Sequence, residues 1–142
     1  MKSFTITSDV EINSLQNEGV LFAIGGRFNG LSLFIKDHKI IVAHNIDKNL
    51  TYLQSPEVVA KGKALIRYEF NYTFNPGADT AGIEILYIND RKVAEGPLMK
   101  KEGLVFEYDE GLDIGRDNQS AVSPLYKPPF SFDGILNKEN DY

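Results

Sequence analysis

The sequence predicts an all-β fold in which two antiparallel sheets pack as a sandwich or jelly roll. Three observations carry this. The clearest segments alternate apolar and polar residues at period two, turn residues recur at short, regular spacing, and no stretch shows a helical period. About ten to twelve short strands without helices is the pattern of such sandwiches.

In chain order, "FTITSDVEI" places Phe4, Ile6, Val10 and Ile12 on one strand face and Thr5, Thr7, Asp9 and Glu11 on the other. Residues 20–25 form the next candidate. "LSLFIKDHKIIVAHNI" reads as a hairpin turning near Asp37-His38, and residues 50–55 follow as a further strand. "KALIRYEFNYTF" alternates most clearly: Ala64, Ile66, Tyr68, Phe70, Tyr72 and Phe74 share one phase, and Arg67, Glu69, Asn71 and Thr73 share the other. "IEILYINDRKVAEG" reads as a hairpin turning at Asn89-Asp90, without the glycine that usually marks a type I′ turn. Candidates at 104–108, 111–116 and 130–136 complete the set. There is no internal repeat, linker or low-complexity run, so residues 1–142 are expected to form a single domain. A chain of this length buries roughly 70% of its unfolded surface, enough for a self-sufficient core.

Composition narrows the partners. A net charge of −5, with Lys and Arg scattered rather than striped, argues against nucleic acid. No segment reaches the length of a membrane-spanning helix, so a membrane partner is not expected. The absence of cysteine excludes disulfides, thiolate zinc sites and cysteine nucleophiles. "MKSFTITSDVEI" contains no apolar run of signal-peptide length, which suggests either a cytosolic protein or a piece of a longer one.

The stretch "AIGGRFNGLSLFIKD" raises the question of a phosphate loop. Such a loop leads into a helix N-terminus. Here the glycines separate two strand-like runs, and their spacing matches neither nucleotide fingerprint. The segment is therefore read as a turn, in which Arg27 and Asn29 remain candidates for binding an anion or a sugar.

Among the carboxylates, Glu107 and Asp109 fall on one strand face in "FEYDEGLD". The Glu-x-Asp-x-Glu pattern of laminarinase-type hydrolases would place its third carboxylate at Gly111 or Leu112, so a glycosidase site fails at its acid/base. Asp109, Asp113 and Asp117, with Glu110 and Asn118, supply the hard oxygen ligands that calcium takes, without EF-hand spacing; surface carboxylates paired with Arg116 or water are the alternative. His38 falls in a turn. His44 shares the phase of Ile40 and Val42, as a partly buried imidazole would. Tyr126 and Lys127, in the proline-rich "SPLYKPPF", are read as an exposed aromatic and a cation able to meet a glycan.

Four segments, "GVLFAIGGRFNGLSLFIKD", "YLQSPEVVAKGKALIRYEFNY", "ILYINDRKVAEG" and "DEGLDIGRDNQSAVSPLYKPPFSFDG", together resemble the C-terminal domain of large bacterial arylsulfatases, from about Ile6 to Gly134. The resemblance implies a concanavalin A-like (laminin G-like) β-sandwich. It also implies a catalytic sulfatase domain as partner in the parent protein, and a periplasmic or secreted location if that parent is exported. The chain departs from the family at its end, where "ILNKENDY" replaces a Lys-Val-Thr-Ile type alternation, so a short, rewritten or frayed last strand is expected. The sulfatase signature C/S-x-P-x-R is absent, and no catalytic residue is carried over. Three readings follow: a non-catalytic accessory domain of an arylsulfatase-like hydrolase, a free-standing carbohydrate-binding module for sulfated or neutral glycans, and an enzyme in its own right. No cofactor is expected beyond the candidate calcium.

Overall fold

A computed structural model describes residues 3–25, 29–46, 49–73, 77, 80–99, 112–114, 123–127 and 130–141. Their strands are, in order, β1 (Phe4–Ile12), β2 (Gly19–Gly25), β3 (Asn29–Lys36), β4 (Lys39–Ile46), β5 (Asn49–Val58), β6 (Gly62–Tyr72), β7 (Thr80–Ile88), β8 (Arg91–Met99), β9 (Leu112–Ile114) and β10 (Ile135–Asp141). They form two five-stranded antiparallel sheets: sheet A in the order β10-β1-β6-β7-β8, and sheet B in the order β5-β4-β3-β2-β9. The alternation in β1 and β6 becomes their burial. Ile6, Val10 and Ile12 face the interior with Ile66, Tyr68 and Phe70, the two strands being paired with Ile6 opposite Tyr68.

The interior lies between the sheets. Leu31, Leu33, Ile35, Ile40 and Val42 of sheet B pack there against Ile66, Phe70 and Leu86 of sheet A. Each such side chain, fully buried, stabilises the fold by about 1.5–3 kcal/mol. Tyr68 is the hub of the aromatic contacts, with ring centroids 5.9 Å from Phe4 and 6.3 Å from Phe22 across the interior.

Both hairpin turns fall where the sequence placed them. Asp37 and His38 have φ of 51° and 67°, and Asn89 and Asp90 have 51° and 64°. Two consecutive positive φ values define a type I′ turn, and three of the four residues are Asp or Asn, the non-glycine types that tolerate it best. The Asn89-Asp90 turn is further tied to β6, because the Leu65 N–H donates to Asn89 Oδ1 at 2.8 Å and the Asn89 N–H donates to the Leu65 carbonyl at 2.8 Å. Edge strands β5 and β8 lie beside each other, with Gly96 against Leu53, and each carries a proline, Pro56 and Pro97, which blunts pairing with another chain.

Two expectations are corrected. The strand expected at 130–136 starts only at Ile135, because Phe130 packs outside sheet B while Phe132 packs between the sheets. That alternation belongs to a segment passing from one layer to the other, not to a strand. Gly19, at φ +128°, admits this crossing, since a Cβ there would collide with the backbone of Ser131 and Phe132. The last strand, expected to be short, rewritten or frayed, is neither short nor frayed: it is a seven-residue edge strand paired with β1 from Glu11 to Ile6. The strand expected at 104–108 lies outside the described residues.

Candidate functional site

Of the sequence-drawn glycan-binding residues, Asn29, Tyr126 and Lys127 lie among the described residues. Asn29 opens β3 opposite Ile46, and Arg27 lies outside the described residues. Tyr126 and Lys127 belong to a strap, residues 123–127 and 130–131, that crosses the outer face of sheet B. The expectation that Tyr126 is exposed is overturned: it is only 6% accessible. Its ring meets the edge of Phe34 at 5.0 Å and stacks on Phe130 at 5.3 Å, and its hydroxyl donates to Ser32 Oγ at 2.9 Å. A ring so engaged offers no face to a sugar. Lys127 is exposed.

The strap exists because the outward phase of sheet B is apolar. Val20, Ala23, Phe34, Ile41 and Ala43 form a second buried cluster there, with Tyr126 and Phe130 as its cover. Polar contacts fasten it at both sides: Tyr52 Oη and Ser123 Oγ are 3.0 Å apart, and Lys36 Nζ donates to the Leu125 carbonyl at 2.5 Å. The Val20 N–H donates to the Phe130 carbonyl at 2.8 Å. Phe130 holds φ of 37°, a strained value for an aromatic residue, which these contacts maintain.

Of the candidate calcium ligands, Asp113 lies on β9 opposite Ala23, while Asp109 and Asp117 lie outside the described residues, as do Glu107, Glu110, Arg116 and Asn118. Among the described residues, no group of three or more His, Asp or Glu side chains is placed to hold a metal ion.

A concave site lies at one end of the sandwich, between the crossover that joins β5 to β6 and the β7–β8 turn. It is a cleft of about 190 Å³ with a floor of Ile12, Ile40, Ala64, Ile66 and Ile88, and a rim carrying Glu57, Lys61, Lys63, Asn89 and Arg91. Arg91 of sheet A reaches across to Glu57 of sheet B in a two-pronged pair, with Nη1 to Oε1 at 2.5 Å and Nη2 to Oε2 at 2.8 Å. The Glu57 carboxylate raises the pKa of Arg91 above its ordinary value, so the guanidinium stays charged. The crossover is held by the Val59 N–H, which donates to the His38 carbonyl at 2.7 Å. Sequence reasoning missed this site because its walls come from four separated parts of the chain.

A polar group in the interior was also missed. Glu84 is 4% exposed, accepts a hydrogen bond from the Tyr68 hydroxyl at 2.8 Å, and lies 3.8 Å from His44 Nδ1. Its parity with Leu86 and Ile88 was the available signal. The buried imidazole of His44 was foreseen, but not its partner. On the outer face of sheet A, Arg67 lies 4.0 Å over the Tyr87 ring and pairs with Asp90 at 2.7 Å and Glu69 at 3.2 Å. The hydrogen bond to Asp90 is the main cause that raises the pKa of Arg67.

No protein-family model matches this sequence, and no curated protein does. Solved structures do. Domains LG4–5 of the mouse laminin α1 chain superpose with a TM-score of 0.75 at 9% identity, over 99% of this chain and 35% of that one. The chain thus spans about a third of that laminin structure. The carbohydrate-binding module CBM40 of the Ruminococcus gnavus IT-sialidase, bound to α2,3-sialyllactose, superposes with a TM-score of 0.65 at 14% identity, over 100% of this chain and 76% of that one. Its complex with α2,6-sialyllactose gives a TM-score of 0.64. These likenesses establish the fold: an all-β, concanavalin A-like (laminin G-like) jelly-roll sandwich.

Proposed function

We propose that the chain is a glycan-binding module. The observation that carries this reading is the superposition of its whole length on a domain seen with sialyllactose in place. The cleft at the sandwich end supports it, as a concave site with an apolar floor and a few polar groups. The exposed Lys127, together with Arg27 and Asn29, is the alternative position drawn from the sequence. Calorimetric titration against sialylated, sulfated and neutral glycans, with calcium and then with a chelator, tests the reading. Saturable binding to any of them is expected. Loss of binding with the chelator would implicate Asp109, Asp113 and Asp117 in holding calcium. No binding across the panel would reject the module.

A second reading is a non-catalytic accessory domain of an arylsulfatase-like hydrolase, partnered by its catalytic domain. It rests on the sequence resemblance, and the strap favours it: in "SPLYKPPFSF", part of the last of the four resembling segments, the aromatic residues serve as the cover of sheet B and the filling between layers. A structural role of that kind suits an accessory domain. The purified chain is then expected to show no sulfatase rate on an aryl sulfate, and a clear rate would overturn this reading.

A further inference from the structure

The cleft at the sandwich end combines two properties that select a ligand. Its floor is aliphatic, built from Ile12, Ile40, Ile66 and Ile88. Its rim sets three cations, Lys61, Lys63 and Arg91, against one carboxylate, Glu57. The chain as a whole has the opposite balance, with a net charge of −5. A local excess of cations at a concave site with low-dielectric walls focuses the field on an anion. Lys61 and Lys63 are exposed, and neither is in an ion pair among the described residues. The volume of about 190 Å³ lies below the ~300–1,000 Å³ of pockets that take larger ligands, which suits one sugar unit rather than a chain.

Resting on the glycan-binding reading, we propose that this cleft seats the anionic terminal sugar of a glycan. Lys61 and Lys63 meet its carboxylate or sulfate, and the isoleucine floor meets the nonpolar face of the ring. Glu57 acts as a built-in competitor. It holds the Arg91 fork in the two-pronged geometry that a ligand carboxylate or sulfate would take, so removing its charge releases a second anchor.

The test is calorimetry on the full chain with three probes: α2,3-sialyllactose, lactose carrying a sulfate ester, and lactose itself. At least one acidic probe is expected to bind, at least about tenfold more tightly than lactose. Which one binds tells a carboxylated source from a sulfated one. The K61E/K63E double variant is expected to weaken that binding at least about tenfold with an unchanged thermal midpoint, and Glu57→Gln is expected to tighten it about fivefold. Lactose binding as tightly as the acidic probes would overturn the proposal and leave the glycan-binding reading standing. So would acidic-probe binding that survives K61E/K63E, or that falls further with Lys127→Glu. If no probe binds, the proposal and the reading fall together.

Discussion

The two outer faces of the sandwich each belong to a five-stranded antiparallel sheet and end up opposite in character. On sheet A the outward phase holds Thr5, Thr7, Arg67, Glu69 and Tyr87, and it stands open among the described residues. On sheet B the outward phase holds Val20, Ala23, Phe34, Ile41 and Ala43, and the strap covers it. The difference lies in pattern. Strands β1 and β6 alternate, as half-buried strands do, whereas "VLFAI", "LSLFI" and "KIIVA" in β2 to β4 are nearly continuous apolar runs, as strands buried on both faces are. A continuous run tells the chain to find a cover. It does not say which segment will provide one.

The comparison can be broken by truncating its anchors. Phe34→Ala, at a fully buried position beneath Tyr126 and Phe130, is expected to cost about 3–5 kcal/mol by urea denaturation. Thr7→Ala on the open face is expected to stay within about 0.5 kcal/mol. Equal costs at the two positions would contradict the assignment of a covered and an open face. Between the layers, Tyr68→Phe withdraws the donor to a buried carboxylate, and an expected loss of about 1–3 kcal/mol would show that Glu84 depends on it. Tyr126→Phe keeps the ring on Phe34 and removes only the bond to Ser32, so a loss of about 1 kcal/mol is expected, well below that of Phe34→Ala. A Tyr126→Phe loss as large as that of Phe34→Ala would make the hydroxyl, rather than the packing, the fastening of the strap. A modest effect, just above that of Thr7→Ala, is expected at Arg67→Lys, which keeps the charge but weakens the stacking on Tyr87: about 0.5–1 kcal/mol at a partly exposed site.

The strands and both type I′ turns were legible because their signals are local: alternation at period two, and Asp or Asn at the turn positions. Tyr126 was misread because proline-rich surroundings suggest a surface loop, and nothing local reveals that Phe34, far back in the chain, needs a partner. The strand expected at 130–136 failed for a related reason. Phe130 and Phe132 share the phase that a strand would put on one face, but they pack on two different layers. The cleft was illegible because Ile12, Ile40, Glu57 and Arg91 meet only once the sheets have packed. Lys61 and Lys63 look, in sequence, like any solvated pair.

The account that the cleft seats an anionic glycan is tested most directly by amide NMR of the intact chain titrated with α2,3-sialyllactose and with lactose carrying a sulfate ester. The account predicts saturable shifts clustered at Glu57, Lys61, Lys63, Asn89 and Arg91, with the strap and the open face of sheet A unmoved. Shifts confined to the strap, or none at saturating sugar, would contradict it.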